Sequence, residues 1–384
     1  MLASNQYNSP WMTDETRIFQ HMVRQFIAKE LSPHHERWAK QHQPDRDVWR
    51  KAGKAGLLLT DVPEEYGGGG GTFAHEAVVV DELARAGVHI GFGIQSIVAN
   101  YILACGNEQQ CRRWLPGMAA GDAVAAIGMT EPDAGSDLQA MKTTARRVDD
   151  HYVVNGSKRF ITNGGYADLL CLAVRTGPAT AGPRALSLLI VETADLNGYR
   201  VGPPHQKSGR HAQNTCDLFF DDVPVPAANL LGASEGRGLF QMMDQLPYER
   251  LAIGLSAVAG AERAFEITTQ YVKERQAFGK PLMELQNTRF KLAECKTAAH
   301  VGRLFIDNCI ERYLAGRFDA VTAAMAKFWL TECEGWILDD CVQLHGGYGY
   351  MQDYEIARMW ADGRAQRIYA GSNEIMKEAI GWSL

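Results

Sequence analysis

"HYVVNGSKRFITNG", His151 to Gly164, is the stretch that decides how this chain is built. Apolar and polar residues alternate with a period of two on both sides of Asn155-Gly156, the pattern of two strands around a tight turn. "LLCLAVRT" (169–176), "ALSLLIVE" (185–192) and "TCDLFFDDVPVP" (215–226) are further short apolar runs bounded by Gly, Pro and Asp. Strands at this spacing, with no helix between them, predict a small β-barrel or sandwich over about residues 122–231.

Working outward, the texture changes on both sides. Upstream, "TDETRIFQHMVRQFIAKEL" offers Thr13 or Asp14 as a helix cap, with Ile18, Met22, Phe26 and Leu31 recurring at roughly helical spacing. Two more helices are expected around 74–86 and 89–119. The five glycines 67–71 read as a mobile turn and not as a phosphate cradle, because no Gly-Lys-Ser/Thr follows them. Downstream of about residue 236, three helical runs each exceed twenty residues, which predicts an antiparallel four-helix bundle. The order is α, then β, then α, an α+β chain with no evident internal repeat.

The bulk properties narrow the function classes. The 384 residues suffice for two or three domains, and 46% hydrophobic with 22% charged residues is an ordinary globular composition. A net charge of -6 argues against nucleic acid or anionic membrane as the main partner. Eight cysteines lie scattered without a C-x-x-C pair or zinc-ligand spacing, so reduced, mostly buried thiols and no metal are expected. The N-terminus lacks a basic region followed by an apolar stretch, and no apolar run approaches the roughly 20 residues of a membrane span. A cytoplasmic protein is the expectation.

The familiar cofactor signatures are missing. "GFGIQS" (91–96) has only the first two glycines of a dinucleotide fingerprint and follows no strand. No nucleophile elbow, Walker loop or zinc-peptidase helix occurs. Five other motifs are present: "MTEPDAGSDL" (129–138), "FITNGG" (160–165), "RQAFGKPL" (275–282), "QLHGGYGY" (343–350) and "YAGSNEI" (369–375). In this order, and with the α–β–α texture over essentially the whole chain, the sequence resembles the acyl-CoA dehydrogenases. That resemblance implies an N-terminal helical domain (1–121), a middle β-barrel domain (122–232) and a C-terminal four-helix bundle (233–384).

It also implies FAD. Met129, Thr130 and Ser136 match residues at the pyrimidine edge of the flavin, and Ser136 also meets the acyl-CoA. Phe160 and Thr162 match the segment along the ring; many relatives have tryptophan where this chain has Phe160. Arg275, Phe278, Gln286, Gln343, Gly346 and Gly347 match residues that hold the pyrophosphate and adenosine half across a subunit contact. Arginine suits that task because its planar fork matches phosphate oxygens and keeps its charge. Ser372 and Glu374 open the last helix, whose N-terminus with Gly371 before it is a natural anion site. His345 reads as a packing histidine.

The reaction needs a carboxylate to take the proton alpha to a thioester carbonyl while a beta hydride moves to the flavin. By resemblance, a flavin ribityl hydroxyl and a backbone N–H near position 370 hold that carbonyl. Position 370, which often carries the acid, is alanine here. In "QLPYERLAIG" (245–254), Glu249 shares a helical face with Ala252, Ile253, Ser256 and Gly260. Local sequence leaves two readings open: an acid at the head of a buried stripe, or a first-turn glutamate complementing the helix dipole. The long-chain and isovaleryl enzymes carry their base on this earlier helix, immediately before an arginine. Glu249-Arg250 matches them, and the C-terminal half resembles the long-chain type. The resemblance thus implies Glu249 as base, with Arg250 and Gly371 near the substrate.

An electron-transfer flavoprotein is the expected acceptor and a homotetramer, a dimer of dimers, the expected assembly. Two rival classes share the fold: a flavin monooxygenase or oxidase, and a non-catalytic subunit that binds FAD or acyl-CoA. Gly91, Gly93 and Ser96 are small and leave room for a medium, long or branched acyl tail.

Overall fold

A computed structural model describes residues 7–384. Residues 1–6, the start of the segment expected to carry no leader, lie outside the described residues. In chain order the main elements are α1 (Asp14–Phe26), α2 (His35–Gln41), α3 (Asp47–Lys54), α4 (Phe73–Arg85), α5 (Phe92–Cys105) and α6 (Glu108–Ala119). Strands β1 (Ala125–Gly128), β2 (Thr144–Val148), β3 (His151–Thr162), β4 (Leu169–Arg175), β5 (Leu186–Glu192), β6 (Tyr199–Val201) and β7 (Thr215–Pro226) follow. Then come α7 (Gly238–Glu274), the short pair β8 (Gln276–Ala277) and β9 (Lys280–Pro281), α8 (Gln286–Leu314), α9 (Ala320–His345), α10 (Glu355–Gly363) and α11 (Asn373–Gly381). Helical ends flank a curled sheet in sequence, as the texture predicts. Compactness groups the chain into two units, one of Met1–Ile27, Thr72–Val88 and Pro247–Leu384, the other of Ala28–Gly71 and His89–Leu246.

The second unit is built on one seven-stranded sheet in the order β1-β4-β2-β3-β7-β6, with β5 paired to β4. Strand faces that carry Tyr152, Val154, Leu170, Leu172, Val174, Leu189, Val191, Leu218 and Val223 supply its core. Burying each Val, Leu or Ile contributes about 1.5–3 kcal/mol. The expected hairpin at Asn155-Gly156 does not form; β3 runs through it as a single strand. The dipeptide marks a bulge, where the register against β7 shifts between Val154 and Gly156. Gly156 has φ 141°, and a Cβ there would lie 2.6 Å from Thr143 Oγ1, so only glycine passes so close. The turn that does pair β2 with β3 is at Asp149-Asp150, where Asp149 takes φ 53°.

Two other expectations in this unit are corrected. The single helix predicted over 89–119 is two helices, because Asn107 starts α6 with a capping box to Gln110. The glycine run is a pinned loop and not a loose turn: the N–H groups of Gly68, Gly69, Gly70 and Gly71 donate to the carbonyls of Pro63, Leu59, Val62 and Thr60. A Cβ at Gly68 would stand 2.2 Å from the Val62 oxygen.

In the first unit, Thr13 caps α1 through a capping box with Thr16. Of the four residues at helical spacing, Ile18 and Met22 are exposed, Phe26 is half-buried and Leu31 is fully buried. Thr16, Val23 and Ile27 are also buried, and Gln20 and Arg24 reach Glu82 on α4 at 2.7 and 2.8 Å. The face packed on α4 is the one whose Gln20 and Arg24 the Glu82 carboxylate can satisfy. The long helices α7, α8 and α9 pack with α10 around Ala261, Ala264, Cys295, Ile337, Leu338 and Ile356. All eight cysteines are unbridged thiols, and seven are buried. Among the described residues no helix is long and apolar enough to cross a membrane.

Candidate active site

In the sheet unit, the loop leaving β1 carries Met129, Thr130 and Ser136. Met129 and Thr130 are half-buried and Ser136 is exposed. The loop is held through its main chain: Lys158 Nζ donates to the Met129 carbonyl at 3.2 Å, and Arg159 N–H donates to the Thr130 carbonyl at 2.8 Å. Behind it Glu131 is buried and saturated, accepting from Lys158 Nζ at 2.7 Å, from Lys142 N–H at 2.6 Å and from Thr143 N–H at 2.9 Å. Hydrogen bonds and the Lys158 charge outweigh burial and hold the Glu131 carboxyl below its ordinary range.

Phe160 sits in β3 where the register against β7 shifts between Lys158 and Ile161, with φ 61° and 57% of its surface exposed, which is unusual for a phenylalanine. Its ring lies 5.3 Å from that of His205, which is itself held by Asp217 at 2.8 Å. Thr162 Oγ1 accepts from Gln213 at 3.3 Å. Asn163, fully buried, donates to the carbonyls of Gly91 and Ala125, each at 3.1 Å, and so ties this segment to β1.

In the helical unit, Glu249 and Arg250 are both buried, each 8% exposed. Glu249 is not in a first turn, since α7 begins at Gly238, so the simple dipole reading does not describe it. Arg250 Nε reaches the Ala370 carbonyl at 3.5 Å. Residue 250 on α7 therefore meets the main chain of the 370–371 turn. Ala370 and Gly371 both take left-handed backbone, φ 53° and 86°. Ser372 then caps α11 through its hydroxyl, and exposed Glu374 sits in the first turn. The N-terminal N–H groups and the Ser372 hydroxyl hold the Glu374 carboxyl below its ordinary range.

Arg275, Gln343, Gly346 and Gly347 come together around a cavity of about 400 Å³, lined also by Tyr271, Leu282, His345, Tyr348 and Met351. Phe278 and Gln286 are exposed and do not line it. Phe278 is 92% exposed with φ 54°. A Cβ at Gly346 or Gly347 would meet nothing within 4 Å, so these glycines border open space. His345 is a packing histidine: Nδ1 bonds the Cys341 carbonyl at 2.8 Å and the ring stacks on Tyr271 at 4.1 Å. Among the described residues no cluster of three or more His, Cys, Asp or Glu could hold a metal ion.

Four residues that matter here escaped the sequence reading: Glu131, Lys158, Lys327 and Asn373. For Lys327 the available signal was a lone lysine inside an apolar run, "AAMAKFWL"; Lys158, in "GSKRFI", gave none. Such a lysine stays buried only when carbonyls or a carboxylate satisfy it.

Family models for the acyl-CoA dehydrogenase N-terminal, middle and C-terminal domains match residues 13–122, 126–223 and 236–384. The chain belongs to the acyl-CoA dehydrogenase family, enzymes of flavin-dependent dehydrogenation. It is 44% identical over 371 residues to the mitochondrial long-chain specific acyl-CoA dehydrogenase of Sus scrofa, covering 96% of this chain and 86% of that protein. The crystal structure of an acyl-CoA dehydrogenase from Geobacillus kaustophilus superposes with a TM-score of 0.96 at 44% identity, over 98% of this chain and 99% of that one. An acyl-CoA dehydrogenase complexed with FAD from Bacillus anthracis gives 0.89 at 32% identity, over 97% and 67%. A chain in the structure of the Acidaminococcus fermentans electron transferring flavoprotein gives 0.91 at 34% identity, over 97% and 98%.

Proposed function

We propose that this enzyme binds FAD and converts a medium-chain, long-chain or branched acyl-CoA to the trans-2-enoyl-CoA, with Glu249 as the base. The observation that carries this reading is the buried Glu249-Arg250 pair, whose arginine reaches the Ala370 carbonyl at 3.5 Å. The residues present fit the cofactor. Phe160 and Phe278 leave large apolar surfaces uncovered, Arg275 presents a guanidinium at an open cavity bordered by glycines, and α11 offers a capped N-terminus. FAD, when bound, accepts the hydride from the beta carbon.

Everything else falls to the chain's own groups. Met129, Thr130, Ser136, Phe160 and Thr162 orient the ring and the thioester. Arg275, Phe278, Gln286, Gln343, Gly346 and Gly347 hold the nucleotide half, and Gly371, Ser372 and Glu374 hold the turn before α11. Glu249 takes the alpha proton as the C–H bond breaks, and the electron pair left behind closes the new double bond as the beta hydride departs. Burial keeps bulk water from that carboxylate. Arg250 supports the turn opposite it.

Electrons then pass to an electron-transfer flavoprotein, a partner supported by the Acidaminococcus match. Surface-exposed Trp329 and Trp336 support assembly into a homotetramer. The cytoplasm is the proposed compartment. The deciding experiment is anaerobic bleaching of the yellow protein by an acyl-CoA chain-length series, with Glu249→Gln alongside. The variant is expected to stay yellow and to lose flavin reduction by roughly 10²–10⁴-fold. Near-normal bleaching of the variant would remove Glu249 as the base.

A further inference from the structure

Lys327 lies within the apolar stretch of α9 and is completely buried, among Ala323, Ala324, Ala326 and Leu330. Nothing in the proposed reaction uses it, yet an ammonium in such surroundings is expensive unless its protons are all directed. Here they are. Nζ donates to the Gly371 carbonyl at 2.8 Å and to Asn373 Oδ1 at 2.9 Å. Asn373 is in turn fixed by donating to Thr331 Oγ1 at 3.0 Å and to Glu332 Oε1 at 2.9 Å, and the Thr331 hydroxyl bonds back to the Lys327 carbonyl at 2.8 Å. With Arg250 Nε at 3.5 Å from the Ala370 carbonyl, two successive peptide oxygens of the turn each face a buried cation.

We propose that Lys327 is a positioning residue for the dehydrogenation, holding the 370–372 turn and the start of α11 in one conformation by its grip on the Gly371 carbonyl. The inference rests on the proposed reading of that turn as substrate-facing. Two consecutive left-handed residues, one of them not glycine, are not a conformation the backbone keeps unaided. A cation on a peptide oxygen also polarises the N–H of the same peptide unit, so Arg250 and Lys327 strengthen the Gly371 and Ser372 amides as donors. Both charges therefore favour negative charge developing on a thioester oxygen at this turn.

The grip is sensitive to pH. Burial pushes the Lys327 ammonium down to about 8, and Arg250 on α7 acts in the same direction. Glu374 on α11 and Glu332 on α9 oppose them, and Glu332 is shared with Arg367 at 3.3 Å. Below pH 8 Lys327 is charged and the turn is held; above it the neutral amine donates more weakly and the turn loosens.

The test compares wild type, Lys327→Met and Lys327→Gln as holoenzymes, using the acyl-CoA that bleaches wild type best. FAD per chain after gel filtration, kcat, KM and the rate of flavin reduction from pH 6.5 to 9.5 are measured. Wild type is expected to slow about tenfold in a one-proton step centred near pH 8. At pH 7 Lys327→Met is expected to be slower by about 10- to 100-fold, with KM moved less than about threefold, no step near pH 8 and less retained FAD. Lys327→Gln, which keeps a donor without the charge, should fall between the two and also lack the step. A Met variant with the wild-type rate, profile and FAD content overturns the proposal. If neither variant folds, a wild-type profile without the step overturns it, and a step that persists in the Lys158→Met, Glu131→Gln double variant upholds it. Should no acyl-CoA bleach wild type, the dehydrogenase reading itself fails, and unchanged FAD retention in the variants then overturns the Lys327 grip separately.

Discussion

Lys158 Nζ lies 2.7 Å from Glu131 Oε1, with the two side chains 0% and 4% exposed, and together they fix the main chain of the loop that bears Met129 and Thr130. A buried pair of this kind adds little net stability over an apolar pair of equal volume, but breaking it strands a charge.

Lys158→Met alone should therefore cost about 3–5 kcal/mol in urea unfolding. Adding Glu131→Gln to it should recover part of that loss. A single-variant loss below about 1 kcal/mol would show that the pair does not anchor the loop.

The same pair sets a pH dependence. Burial brings the Lys158 ammonium down to about 8 from the usual 10.5. Between those values the unfolded chain binds the proton more readily than the folded one, so this group's contribution to stability rises with pH across the window. Wild type should gain stability from pH 8 to 10 relative to the Lys158→Met, Glu131→Gln double variant. Parallel curves for the two would contradict the assignment.

Adding Ala370→Glu to Glu249→Gln should restore measurable flavin reduction by acyl-CoA, because Arg250, the neighbour of Glu249, already touches residue 370 at 3.5 Å. Recovery will be partial, since a carboxylate displaced by about 1 Å loses on the order of 10²-fold. A double variant as inactive as Glu249→Gln would show that the two positions do not serve one alpha carbon.

Gly371→Ala should destabilise the holoenzyme by about 1–3 kcal/mol and loosen FAD. At φ 86° any side chain is strained, and the added Cβ would come within 2.8 Å of Met376 Cε. Met376→Ala added to it removes the contact but not the backbone strain, so it should recover only part of the loss. Full recovery would place the whole effect in the methionine.

Much of this molecule was legible beforehand, because the signals were periodic or chemical. Long apolar repeats marked α7, α8 and α9, and the motif set marked the family. Where the reading failed, two structures satisfied the same local pattern. Asn155-Gly156 suits a tight turn and a bulge equally, and the close approach of Thr143, just before β2, goes with the bulge. The spacing of Ile18, Met22, Phe26 and Leu31 marked a helix without saying which face packs, and that face meets Glu82, more than fifty residues away, through Gln20 and Arg24. Glu249-Arg250 was picked out only by the family resemblance, whereas Lys327 and Lys158 were not picked out at all, because their partners are backbone carbonyls or residues remote in sequence.

Arg250 and Lys327 grip residues 370 and 371 only through main-chain oxygens. What the turn demands of residue 370 is therefore a left-handed backbone, and its side chain is left out of the bargain. Turn geometry and the side chain at 370 become separable traits: the proposed base on α7 leaves position 370 free to be alanine while the turn persists.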